Sequence, residues 1–123
     1  MTAPVKLWNE LRKYAFGLPE AHEDHPWGES VAKVGKKVFV FFGSGGSDEP
    51  PGMSVKLRDS QPLALAQPGA TPTGYGLGKA GWVSIRITGD MPFEMLCDWI
   101  DESYRAVAPK KLVAQLQAAD KAS

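Results

Sequence analysis

Both histidines of the chain stand beside four carboxylates in EAHEDHPWGES, residues 20–30. An imidazole pair among carboxylates is material for a divalent-metal site or for acid–base chemistry. The spacing argues against a metal. His22 and His25 are three apart, whereas the zinc-protease helix sets its histidines four apart so that both imidazoles meet one ion. No third histidine and no second cysteine exist to complete a coordination sphere. HEDH therefore reads as an exposed acidic loop edge, and neither a metal nor a cofactor is expected.

GLGKAGWV, residues 76–83, satisfies both the dinucleotide pattern G-x-G-x-x-G and the longer kinase pattern. A dinucleotide fingerprint must open a helix whose N-terminus meets the pyrophosphate, but WVSIRI continues as a strand. The later kinase elements do not follow. The segment reads as a glycine-rich turn entering a strand. No G-x-S-x-G elbow occurs, and a P-loop over Gly69–Gly74 fails at Tyr75, where lysine is required. Cys97 falls on the apolar stripe of a helix beside Ile100, a setting for a buried small hydrophobe and not for a nucleophile. With no catalytic constellation, a non-enzymatic binding domain is expected.

The elements that would position a binding site follow from periodicity. Leu7, Trp8, Leu11, Tyr14, Ala15 and Leu18 recur at three and four, so residues 4–17 predict an amphipathic helix. SVAKV (30–34), KVFVFF (37–42), MSVKL (53–57) and WVSIRI (82–87) are short, β-branched and aromatic, and predict strands. Gly35 and Lys36 make a tight hairpin, and residues 43–52 a long loop. Asp59 or Ser60 is expected to cap a short helix reaching about Gln67, and Asp90 a longer one whose face is Phe93, Leu96, Cys97, Ile100, Tyr104 and Val107. Pro109 breaks that helix, and KKLVAQLQAADKA adds a last one. Residues 20–30 then join helix to sheet, with Pro26 and Gly28 fixing the turn and Trp27 anchoring it. The expectation is one α+β domain over residues 1–123: an antiparallel sheet of about four to five strands covered by N- and C-terminal helices.

No apolar run approaches a membrane span, and the charged N-terminus lacks the apolar core of a signal peptide. One cysteine suits a reducing compartment, so a cytoplasmic monomer with no membrane partner is expected. Net charge is zero but unevenly spread. Between residues 31 and 88, Lys33, Lys36, Lys37, Lys56, Arg58, Lys79 and Arg86 outnumber Asp48, Glu49 and Asp59, while both flanks are acidic. This permits a local anion-binding face without a general attractive field. Strand alternation sends the aliphatic residues toward the helices. It leaves Phe39, Phe41 and Trp82 with Lys33, Lys37, Lys56 and Arg86 on the other face, the composition of a base-stacking platform. The competing reading packs Phe39 and Phe41 under the terminal helix and leaves scattered surface lysines.

Phe16-Gly17-Leu18-Pro19, His25-Pro26-Trp27-Gly28-Glu29-Ser30, Lys33 to Phe39, the MSVKL strand, the Lys79 and Trp82 pair, and Ser103-Tyr104-Arg105 followed by Pro109-Lys110-Lys111-Leu112 occur in this order. In these features, from about Leu11 to Leu112, the chain resembles the MmcQ/YjbR family. That resemblance implies a fold similar to CyaY, the bacterial frataxin, and the family's label of double-wing DNA-binding module. The Gly35 hairpin and the 43–52 loop would be the wings. DNA would meet Lys33, Lys36, Lys37, Lys56, Lys79, Trp82 and Arg86, with Trp27 and Tyr104 as pocket or structural positions. The chain departs from the family pattern in three places. His25 stands where an aromatic commonly precedes Pro-Trp-Gly, Gly78 and Gly81 replace an asparagine and a bulkier polar residue, and Asp48 and Glu49 place repulsive charge on the second wing. Two alternatives stand beside DNA: a protein partner on the sheet face, as in frataxin-like folds, or a small molecule near Trp27, Lys79 and Trp82.

Overall fold

The computed structural model describes residues 3–25, 30–43, 51–74 and 77–122, the last six through their backbone. The expectations for Pro26, Trp27, Gly28, Tyr75 and most of the second wing lie outside the described residues. Helix α1 (Ala3–Phe16) buries Leu7, Leu11 and Ala15, one residue per turn. The six strands are β1 (Ala21–Asp24), β2 (Ser30–Val34), β3 (Lys37–Gly43), β4 (Gly52–Lys56), β5 (Ala70–Pro72) and β6 (Trp82–Arg86). Helix α2 (Gln61–Leu65) lies between β4 and β5, and α3 (Phe93–Val107) and α4 (Lys110–Ala122) follow β6. The sheet is antiparallel throughout in the order β1-β2-β3-β4-β6-β5. The α+β expectation holds, with two strands more than the four that periodicity picked out.

Register determines the two faces. Ala32, Val40, Val55 and Val83 form one cross-strand row, and Phe42, Met53 and Ile85 the next. All seven are buried in the core with residues of α1 and α3. On the opposite, outer face Val31, Phe41, Ser54, Ser84 and Thr71 form a row, flanked by the pairs Lys56–Trp82 and Gly52–Arg86.

One irregularity corrects the expected pattern. The β2–β3 register shifts between Ala32 and Lys33, which pair with Val40 and Val38 and leave Phe39 as the extra residue of a β-bulge. Phe39 therefore turns into the core, fully buried, its ring 5.2 Å from that of Tyr104 in an edge-to-face contact. The same slip pairs Lys37 with Val34, on the core side, so Lys37 leaves the predicted basic face. A buried hydroxyl holds the bulge: Ser103 Oγ donates to the Phe39 carbonyl and accepts from the Lys56 amide at 2.8 Å. Its neighbour Tyr104 donates its phenol to the Pro19 carbonyl at 2.7 Å, tying α3 to the end of α1. Ser103 and Tyr104 thus carry the structural meaning of the Ser-Tyr-Arg signature.

Three further expectations are corrected. Residues 21–24 form an edge strand and not a loop, because their polar side chains find partners. Glu23 pairs with Arg12 of α1 and accepts from Ser30 Oγ at 2.6 Å, and Asp24 pairs with Lys33 at 3.1 Å. Asp90 does not cap α3; its carboxylate takes the Thr88 hydroxyl at 2.6 Å, and Pro92 occupies the N-cap. Residues 70–72, expected to be irregular, add the short edge strand β5, with Pro72 as its last residue.

Candidate functional site

The outer face has an apolar part and a polar part. Phe41 and Trp82 meet at 5.2 Å between ring centroids, with their planes 62° apart. Trp82 is only 7% exposed and Val31 only 1%. A tryptophan so covered has little ring left on which a base could stack, so stacking by Trp82 is not part of the site. Phe41 keeps part of its surface exposed.

Beside the aromatics lies a row of hydroxyls. Ser54 Oγ and Ser84 Oγ, directly opposite on β4 and β6, are 2.8 Å apart, and Thr73 Oγ1 lies 2.9 Å from Ser84 Oγ. Lys56 follows Ser54 by two residues and Arg86 follows Ser84 by two, so strand pleat puts both cations on the hydroxyl side. Lys56 is half-buried and Arg86 exposed, and neither has an ion-pair partner among the described residues. Gly69, at φ +81°, makes room for the Arg86 stem; a Cβ there would stand 3.1 Å from Arg86 Cβ.

The other expected cations are dispersed. Lys33 lies on the outer face, but its charge is matched by Asp24. Lys36 is exposed in the hairpin turn, next to Gly35 at φ +63°. Lys79 is exposed in a 3-10 turn, Leu77–Ala80, which enters β6 as the glycine-rich reading expected. Tyr104 lies in the core, on the far side of the sheet. The structure thus gathers Lys56 and Arg86 around hydroxyls that the sequence analysis did not single out. Cross-strand pairing makes the connection, and single-strand alternation does not report it.

Neither histidine assembles a site with its neighbours. Both are exposed; His25 Nε2 lies 3.3 Å from Glu23 Oε2. Strand alternation turns Glu23 away from His22 and Asp24. The Ser30 hydroxyl, aided by Arg12, holds the Glu23 carboxyl below the usual range. The His25 amide and then Lys33 do the same for Asp24.

The solvent side of α3 has the opposite charge. A groove of about 1020 Å³ is lined by five carboxylates, Asp59, Glu94, Asp98, Asp101 and Glu102, together with Arg58 and Arg105. Glu102 is engaged structurally, accepting from the amides of Asp59 and Ser60 at 3.0 and 3.1 Å and from Ser60 Oγ at 2.7 Å. Burial, which alone would raise its pKa, is outweighed by these donors, and the carboxyl stays below the ordinary glutamate value. The domain is polarised, with Lys56 and Arg86, unpaired among the described residues, on the outer sheet face and carboxylates along α3.

Among the described residues no helix is long and apolar enough to cross a membrane. No curated protein matches the chain. Among solved structures, a Deinococcus radiodurans protein with the domain DUF419 is 28% identical, with a TM-score of 0.68 over 84% of this chain and 79% of that one. A Pseudomonas syringae protein at 17% identity shares the fold, with a TM-score of 0.63 over 80% of this chain and 96% of its own. The family model described as YjbR matches residues 16–106, most of the chain. The protein belongs to the YjbR family.

Proposed function

We propose that this YjbR domain is a non-enzymatic, monomeric DNA-binding module that contacts the phosphate backbone through its outer sheet face. The observation that carries this reading is the pair Lys56 and Arg86, without ion-pair partners among the described residues, flanking a hydroxyl row on that face. Cations without carboxylate partners are the groups that phosphate contacts use. Exposed Lys79 and Lys36 extend the positive charge toward the ends of the sheet. Recognition by charge and hydroxyl, with Trp82 buried, favours backbone contact over reading of bases. The best nucleophile of the chain supports a non-catalytic role: Cys97 is buried, and burial together with Asp101, Asp98 and Glu94 pushes its pKa to about 12.

The test is fluorescence anisotropy with labelled duplex DNA over a salt series. Replacing both Lys56 and Arg86 with alanine is expected to weaken binding to all sequences alike. It should also flatten the log-affinity against log-salt slope by about two units, since each phosphate contact contributes about 0.9. No wild-type binding at low salt would remove the reading, as would an unchanged slope in the double variant. The zero net charge makes a protein partner on the same face the second reading, and such an interface would depend little on salt.

A further inference from the structure

The hydroxyl row has an arithmetic consequence. Ser54, Ser84 and Thr73 carry three O–H protons, and the two hydrogen bonds that link them, at 2.8 and 2.9 Å, consume two. Whichever way the chain of bonds runs, one donor is left over. It resides on Ser54 or Thr73 when the bonds run in one direction, and on Ser84 when that oxygen accepts from both sides. Hydroxyl hydrogens rotate freely, so the surplus donor can be delivered where an acceptor arrives.

The flanking charges say which acceptor suits it. Lys56 has no ion-pair partner among the described residues, so its ammonium is open to an incoming anion. Arg86 adds a planar fork that matches two oxygens of one group. Along each strand these cations stand roughly 6–7 Å from the serines, within reach of long side chains. We propose that Ser54, Ser84, Thr73, Lys56 and Arg86 form the seat of a single phosphate group. The hydroxyls contribute the surplus donor and the two cations neutralise the oxygens.

This inference rests on, and sharpens, the backbone-contact reading, because a phosphodiester of DNA is one source of such a group. A free phosphate monoester is the other source and presents the same oxygens. A purely structural row, binding strand to strand as cross-strand hydroxyl pairs do, would contribute to stability and be indifferent to phosphate.

The experiment is amide-shift mapping of the full chain by NMR, titrated separately with inorganic phosphate, a nucleoside monophosphate and a short DNA duplex against sodium chloride at equal ionic strength. Saturable shifts centred on Ser54, Ser84, Thr73, Lys56 and Arg86 are expected with the duplex and at least one phosphate probe. Ser84→Ala, which removes the middle of the row, should weaken them about tenfold, the value of a hydrogen bond to a charged group. Ser84→Thr, which keeps the hydroxyl, should restore binding, and Lys6→Ala with Lys13→Ala, exposed on α1 on the other side of the sheet, should leave it unchanged. If Ser84→Ala disturbs the fold, Ser54→Ala carries the same comparison from the end of the row. Absence of saturable shifts at the row with every probe would overturn the seat. Duplex binding indifferent to Ser84→Ala would overturn it while leaving the DNA reading intact. Monophosphate binding without duplex binding would support the seat and overturn the DNA reading.

Discussion

Ser103, on α3, donates its hydroxyl to the main-chain carbonyl of Phe39, the bulged residue of β3, 64 positions away. The same oxygen accepts the Lys56 amide, so one buried side chain bridges β3 and β4 just beyond their last pair, Val40–Val55. The bulge buries Phe39 and displaces Lys37 from the outer face. A packing device in the core therefore keeps one lysine off the outer sheet face.

Ser103→Ala would leave a carbonyl and an amide buried and unpaired. It is expected to lower unfolding stability by about 1–3 kcal/mol, read as a reduced urea midpoint at unchanged m. A variant as stable as wild type would mean that the bulge does not depend on this hydroxyl.

Glu102 ties the approach to α2 onto α3, and its pH dependence has a definite sign. Its carboxyl is held below the ordinary value of 4.5, so its stabilising effect is fully present above that pH. The effect is lost as pH falls through the lower folded-state value. Glu102→Gln should therefore be less stable than wild type near neutrality. The difference should shrink as pH drops below 4.5, measured by thermal melts at matched ionic strength. A gap that widens toward acid would show that the carboxylate is not favoured by the fold.

Cys97 is expected to react with an aromatic disulfide reagent far more slowly in the folded protein than in urea. It is 7% exposed, and its thiol is kept protonated by burial and by three neighbouring carboxylates. Raising pH from 7 to 9 should accelerate the unfolded chain much more than the native one. Rapid native labelling would place the thiol at an accessible surface.

The sequence allowed α1, α3 and the four central strands to be read, because each carries a periodic apolar pattern that burial enforces. Val55 and Ile85 face inward, and Lys56 and Arg86 outward, as strict alternation requires. Phe39 defeated alternation because a bulge inserts one residue, and its signal lies in the partner strand's register. Ala-His-Glu-Asp has no strand-like composition; pairing with β2 and the Arg12–Glu23 contact hold it extended. Asp90 looked like a cap because the helix boundary lies three residues later, where Phe93 begins α3. The hydroxyl row required knowledge that Ser54 and Ser84 stand opposite each other. That follows from a crossover past α2 and β5 and leaves no mark in either strand. Gly81 has its reason in the fold too: at φ +99° it faces the Leu57 carbonyl, which a Cβ would approach to 2.7 Å.

The short strand β5 ends the sheet in a way that bears on behaviour at high concentration. Thr73 donates to the Trp82 carbonyl and Arg86 to that of Gly69, a bonding phase that turns the nitrogens of Ala70 and Pro72 away from β6. The Ala70 amide is already spent on the Gln67 carbonyl, and Pro72 has no hydrogen to give. A stray extended peptide arriving at this margin would find no donor on residues 70 to 72 from which to prolong the ladder. Growth of the sheet by accretion of further chains is thereby discouraged on that side.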